Sequence, residues 1–461
     1  MRPVVKTIRT TPPAGEGGAR LGPFRHRPFA VYWAGGLLSN LGTWLQAVAG
    51  SIFVYQLTGS PLAVGILNFV GFLPILLFSA FGGIISDRFD RRTVVISTHV
   101  VSLVLAGILA ALTFAGSVTE LHLVATAFAL NTAYAVAKPA IIAMLPALVP
   151  RDELTDAVGL NTLQFIFGQI AGPTLAALVM ATAGAGWAFT INALTFLGPI
   201  LSMAYLQRRG IGERAVEAAR PADGARPPAA EGFGYIRRHG WVMALLAGIV
   251  AVSAPLEVIR TLSPALVVEG LGEPESAAGL IVAAQSVGSA LALVVFVPLR
   301  RRGWSTRMAA VGLVVQAVGL ALTAVAPSLA IASVAVGLVG FGFSLCFPVL
   351  TGTLQAEVPD AVRGRVMAIH QMAHLGNRPV TALLAAGLAT LFGAQPAVIA
   401  GVVLAPIGLV AARAAWQRLE PGPRTATPGG GSALEAAADA GGAEGVAGPA
   451  AVSPRRAGPG G

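Results

Sequence analysis

Long apolar stretches separated by short polar ones run through most of the chain. Twelve apolar runs can be marked, at about residues 29–56, 62–85, 93–114, 121–144, 158–182, 187–206, 241–267, 277–299, 307–326, 328–350, 365–391 and 395–413. Runs of about 20 residues match the length that crosses a ~30 Å hydrocarbon core as a helix. Backbone in lipid must satisfy its own hydrogen bonds, so each run is predicted to be an α-helix. The expectation is an all-α integral membrane protein with twelve transmembrane helices in two six-helix halves. The first run is too long for a removable leader and shows no small-residue cleavage site.

Composition supports this reading. The 461 residues are 55% hydrophobic and only 11% charged, against roughly 25% charged in soluble domains. The net charge of +10 invites a nucleic-acid reading, but the arginines fall in short clusters between apolar runs, without interleaved aromatics. That is the pattern of membrane topology, and no nucleic-acid partner is expected. The single cysteine, Cys346, lies in an apolar run, which leaves no disulfide framework and no metal cluster. The scarcity of lysine beside abundant arginine, alanine and glycine suits a GC-rich, bacterial coding sequence.

The loops after the odd-numbered runs hold no Lys or Arg, only acids such as Glu120, Glu269, Glu273 and Glu275. Apart from Lys138, Arg260 and Arg378 inside the apolar runs, every one of the 31 cations falls in the tails and even-numbered loops. The positive-inside rule therefore predicts both termini in the cytoplasm of a cell whose inner membrane the chain spans.

The long connection 207–240 divides the runs six and six. The expected layout is an N-terminal tail (1–28), a six-helix bundle (29–206), a linker (207–240), a second bundle (241–413) and a tail (414–461). Gly210 to Glu231 is rich in Ala, Pro, Gly and charge, the composition of a flexible linker. Gly232 to Trp241 mixes aromatic and basic residues and is predicted to lie along the membrane surface. The final tail is too poor in apolar residues to form a core. Pro139–Pro173 and Pro348–Pro379 share an order of features: Pro, a helix end, Val-Pro, a charged turn, then a helix with Gly ahead of its Pro. Two six-helix halves repeated in this way mark rocker-type secondary transporters.

The turn between the second and third runs reads Gly83-Ile-Ile-Ser-Asp87-Arg88-Phe-Asp90-Arg91-Arg92. It resembles the cytoplasmic loop motif of the major facilitator superfamily, with Gly83, Asp87, Arg88, Arg91 and Arg92 matching and Asp90 standing where Gly is usual. Leu145 to Pro150, Leu160-Asn161, Gly172-Pro173 and Arg363 to Met367 are similar to the enterobactin-exporter-like branch, often grouped with drug:proton antiporters. The resemblance covers residue 24 to about 415. It implies that the motif residues latch one conformational state, that helices 1, 4, 7 and 10 line the cavity, and that the unit is a monomer. The acidic residue of the motif is missing from the corresponding second-half loop (298–307), which implies an asymmetric latch. Ile166 and Gln169 stand where the branch carries Asn and Arg.

Charge at the centre of a bilayer costs at least ~2.5 kcal/mol, so the intramembrane charges are informative. Glu257 is the one carboxylate well inside an apolar run and is the first candidate to carry a coupling proton, with His374 the second. Glu257 and Arg260, at i and i+3, can alternatively form a structural ion pair. His370, His374 and Arg378 repeat every fourth residue and predict one polar stripe, with Asn377 beside it. Arg378 can bind an anionic or carbonyl-rich group through its guanidinium fork, while Lys138, near a helix end, is expected to snorkel. The remaining cavity candidates are Arg260, Gln46, Asn40, Asn131, Tyr134, Gln169 and Gln285, for each of which polar contact between helices is the competing reading.

No phosphate-binding glycine loop, catalytic set or metal-ligand cluster is visible, so no enzyme activity and no cofactor are expected. The predicted function is export of a small amphipathic or hydrophobic compound by alternating access, in exchange for protons. Import of a small organic anion and a non-transporting sensor remain alternatives.

Overall fold

The computed structural model describes residues 22–212, 230–301 and 305–419. The expected tails and most of the linker, at 1–21, 213–229 and 420–461, lie outside the described residues. The first six spans are α1 (Arg27–Thr58), α2 (Pro61–Arg88), α3 (Arg91–Phe114), α4 (Glu120–Met144), α5 (Leu154–Thr182) and α6 (Ala185–Thr195 continuing as Leu197–Arg208). The second six are α7 (Gly240–Ala265), α8 (Ala278–Arg301), α9 (Ser305–Ala324), α10 (Leu329–Glu357), α11 (Asp360–Leu375 and Asn377–Phe392) and α12 (Ala394–Ala400 and Ala405–Leu419). A short helix, Ala230–Arg238, precedes α7.

Local chemistry sets the ends of these helices. Gly59 closes α1 in the left-handed conformation at φ 60°, and Ser60 caps α2 by accepting from the Ala63 N–H, with Pro61 at the first helical position. Thr119 and His122 form a reciprocal cap at the start of α4, and Ser328 caps α10. Short turns of this kind, two residues long at Gly59-Ser60, make neighbouring spans run antiparallel, which gives the alternation of loops between the two ends of the molecule.

Among the described residues, eleven of these spans are long and apolar enough to cross a membrane. The remaining expected span, α11, is interrupted at Gly376, so neither of its 16-residue segments reaches that length alone. The break has a sequence cause. Pro379 lacks an N–H for the Leu375 carbonyl and crowds it, while Gly376 packs its backbone against Leu76 of α2, 3.1 Å from where a Cβ would stand.

The buried side chains divide by level in the membrane. One core contains residues of both halves: Leu45, Ile52 and Val64 pack in the same cluster as Ile259, Leu262, Ile281 and Ala385. It lies toward the end that carries the acidic, odd-numbered loops. Toward the arginine-rich end there are two principal cores, one built from the first half (Phe29, Val95, Met144, Leu206) and one from the second (Leu245, Met308, Leu350, Ala411). The halves thus share one core at one end and are separately packed at the other.

Close helix approach supports the fused end. A Cβ on Gly279 of α8 would stand 2.6 Å from Ala177 of α5, and one on Gly65 of α2 would overlap Ala386 of α11. Small residues at crossing points are how membrane helices gain van der Waals contact without a hydrophobic driving force. At the arginine-rich end Gly83, Gly159, Gly352 and Gly364 meet no such neighbour.

Candidate functional site

Charged and aromatic residues meet across the two halves. Glu257 and Arg260 are an ion pair on α7, Nη1 to Oε2 at 3.0 Å, with the carboxylate side chain 1% exposed and the guanidinium 13%. The other carboxylate oxygen and Arg260 Nε make no further hydrogen bond. The Arg260 guanidinium also lies over the Trp44 ring of α1, 5.0 Å from its centroid, which joins the two halves. Pro264 has no N–H for the Arg260 carbonyl, and the Ser263 hydroxyl donates to it instead at 3.1 Å.

Arg378, in the first turn of the second α11 segment, lies over Phe72 of α2 at 5.4 Å, again across the halves. Among the described residues its guanidinium makes no hydrogen bond or ion pair. Arg260, Glu257 and Tyr134 are all within electrostatic range of it. Asn377 turns back along its own helix and donates to the Ala373 and His374 carbonyls at 2.5 and 3.0 Å, repairing backbone at the break.

Of the three-residue stripe expected on α11, His370 and His374 both pack against Phe347 of α10, and each has its own further partner. His370 is buried and bonds Thr351 of α10 at 3.0 Å. His374 bonds Ser253 of α7 at 2.9 Å and packs against Phe347, while Arg378 reaches α2.

Lys138 does not snorkel. Its ammonium donates to the Tyr134 hydroxyl one turn back, at 2.8 Å, and stands 5.6 Å from the centroid of Phe165 on α5. Phe165 meets Trp44 edge-on at 5.9 Å. The i, i+4 spacing puts Tyr134 and Lys138 on one helix face, but it does not set which way the lysine stem bends or bring Phe165 to it.

The amides divide into two groups. Gln46 is buried and accepts from Asn192 of α6 at 2.5 Å, and Gln285 is buried and donates to the Leu256 carbonyl of α7 at 3.2 Å. Both sit between helices. Asn40, Asn131 and Gln169 are half-buried. Asn40 donates to Gln164 at 3.3 Å, Asn131 donates to the Ala127 carbonyl at 2.9 Å, and the Gln169 backbone oxygen accepts from Ser286 of α8 at 2.9 Å. Gln164, which the sequence reading passed over, is buried, bonds Asn40 and also donates to the Trp33 carbonyl.

The α2–α3 turn is anchored within the first half. Arg91 is buried and donates to the Ala143 carbonyl at the end of α4, 3.2 Å away, and Arg92 donates to the Ile211 carbonyl at the same distance. Asp90 caps α3, accepting from the Arg92 and Thr93 N–H groups, and pairs with the Arg92 side chain at 2.5 Å. That explains an acid where glycine is usual. The Arg92 guanidinium holds the Asp90 carboxyl below its ordinary range. Arg88 is exposed, Gly83 meets nothing, and the Asp87 side chain lies outside the described ones.

Twelve spans in two halves, fused at one end and carrying buried charge at the junction, define a membrane transporter of the major facilitator superfamily. Within it, residues 18–423 match the family described as transmembrane secretion effector, and the chain belongs to that family. It is 25% identical to the multidrug efflux pump Tap of Mycolicibacterium fortuitum over 79% of this chain and 90% of the relative. It is 22% identical to the enterobactin exporter EntS of Shigella boydii over 84% and 90% respectively. A match to macrolide efflux protein A of Streptococcus pyogenes is 25% identical over 38% of this chain, which spans 42% of that relative. Among solved structures, a nucleoside transporter NupG mutant superposes with a TM-score of 0.68 at 14% identity, covering 85% of this chain and all of that one. A bacterial homologue of the iron transporter ferroportin in an inward-facing state gives 0.65 at 15% identity, over 84% and 98%.

Proposed function

We propose that the protein is an exporter of small amphipathic compounds. In this reading it sits in the cytoplasmic membrane of a bacterium as a monomer, with the arginine-rich end and both termini in the cytoplasm. The bundles 29–206 and 241–413 rock about the linker, whose helix Ala230–Arg238 lies along the inner surface. The observation that carries the reading is the division of the cores: one shared between the halves, two separate beneath it. Alternating access requires such an arrangement, because packed cores switch between discrete contacts rather than deform.

The described state is then inward-open and loads from the cytoplasm or inner leaflet. The efflux names of the relatives support export over import. Glu257 carries the coupling proton: ionised it holds Arg260, and protonated it releases that guanidinium. His374 is the alternative carrier. Asn40, Asn131, Tyr134, Gln169 and Arg378 line the path, and Gly83, Asp87, Arg88, Arg91 and Arg92 steady the opposite state.

Energised everted vesicles test this by following lumenal pH as macrolides, dyes and siderophores are added. A compound-dependent proton leak in wild type that Glu257→Gln abolishes is the expected result. Full proton-driven efflux in Glu257→Gln removes Glu257 from the coupling path, and no compound-dependent leak at all contradicts antiport.

A further inference from the structure

Between the two halves the described side chains carry more positive than negative charge. Lys138 comes from the first half, Arg260 and Arg378 from the second, and the carboxylate among them is Glu257, already paired with Arg260 at 3.0 Å. Lys138 has Tyr134 as its hydrogen-bond partner and Arg378 has none among the described residues. Neither Lys138 nor Arg378 forms an ion pair among the described residues, so three cations share the one carboxylate of Glu257 inside the apolar spans, where burial of a charge is costly. The cations also share an arrangement. Each lies on an aromatic face: Arg378 on Phe72, Arg260 on Trp44, Lys138 on Phe165. Such faces hold a cation laterally yet leave its remaining N–H groups free for a further partner. They also supply the apolar surface that an aromatic body would cover.

We infer that the transported compound is an amphipathic anion, its acidic group held by Arg378, with Lys138 of the other half as a second cation and its apolar body lying against Phe72, Trp44 and Phe165. The inference rests on the exporter reading and narrows it to one charge class. A guanidinium fork suits a carboxylate, sulfonate or catecholate-type acid, and binding brings the counter-charge that the protein lacks. A cationic drug at the same site would face repulsion from both groups.

Two dyes on one xanthene ring system separate the possibilities: fluorescein, an anion, and a cationic rhodamine methyl ester. Their anisotropy on titration with purified protein in neutral detergent measures binding, and their movement in phosphatidylcholine liposomes measures transport. Wild type is expected to bind and move fluorescein, with affinity about tenfold or more above that for the rhodamine. Arg378→Gln should lose about tenfold in fluorescein affinity and leave rhodamine affinity no lower, or raise it as the repulsion is relieved, while Arg378→Lys keeps most of the fluorescein affinity. Rhodamine bound and moved in preference overturns the anion class and leaves export standing. Movement of neither dye contradicts both. An equal loss for both dyes in Arg378→Gln, with Arg378→Lys no better, makes the arginine structural and overturns the assignment. Displacement of fluorescein by phosphatidylglycerol with the same Arg378 dependence assigns the site to a lipid headgroup and overturns a soluble substrate.

Discussion

The Tyr55 hydroxyl donates to the Glu269 carboxylate at 2.8 Å, tying the end of α1 to the segment that follows α7 across the two halves. The bond sits at the fused end, beside the shared core, and is joined by a second cross-half bond, Asn68 to Thr261 at 3.3 Å. Neither is required to build its own bundle. Their energy belongs to the closure between bundles, which makes them the direct handles on the conformational equilibrium.

Tyr55→Phe removes the hydroxyl and keeps the ring packing. The Glu269 carboxylate is exposed and regains water, so the loss is about 1 kcal/mol. That corresponds to about a fivefold shift toward the state open at the odd-loop end. Labelling of an engineered cysteine inside that end should rise accordingly, with melting temperature little changed.

The ion pair on α7 predicts strong coupling between its members. Removing Glu257 alone leaves a largely buried guanidinium without its partner, at a cost of about 3–5 kcal/mol. The double variant Glu257→Leu, Arg260→Leu should be more stable than Glu257→Leu. Thermal melts of the four proteins in detergent give the coupling directly, and additive losses would mean that the pair contributes nothing.

Glycines at the α8–α10 crossing predict a sharp contrast. A Cβ at Gly340 falls on the Gln285 carbonyl, whereas one at Gly107 of α3 meets nothing. Gly340→Ala should cost about 1–3 kcal/mol by forcing the helices apart. Gly107→Ala should be neutral or stabilising by up to about 1 kcal/mol. Both are read as shifts in melting temperature.

Asp90 predicts a pH dependence confined to acid. Its carboxyl titrates below its ordinary range because Arg92 holds the ionised form. The stabilisation is therefore complete above the usual carboxylate range and is lost as pH falls through the lowered value. Asp90→Asn keeps an acceptor for the helix cap but should flatten this limb of the stability–pH curve. Asp90→Ala should cost about 1 kcal/mol at neutral pH as well.

Much of the fold was legible because lipid leaves few choices. Apolar runs of the right length had to be helices, and loop arginines fixed their alternation without any tertiary information. The family likeness of the Gly83–Arg92 turn was legible too, since its spacing is local. The side-chain directions were not. Lys138 bends toward Tyr134, and Gln46 points at Asn192, because of neighbours more than a hundred residues away or one turn back. A helical wheel places Tyr134 beside Lys138 but does not hold the second fact. Along the α11 stripe His370 and His374 share Phe347 as a neighbour, whereas the contact of Arg378 with Phe72 of α2 depends on the packing of the other half, which the spacing does not carry. The division into one shared and two separate cores is also invisible in sequence, since all three draw on the same apolar residue types.

The central claim is that the halves close at one end as they open at the other. Paired spin labels on a Cys346→Ala background test it most directly. One pair, at Arg151 and Glu357, spans the arginine-rich end; the other, at Leu57 and Glu273, spans the fused end, and all four residues are exposed. Distance distributions are then measured across a pH series, with and without Glu257→Gln. The account predicts that whenever the populations shift, the first distance shortens while the second lengthens. Both distances moving together, or one moving while the other stays fixed, would contradict it.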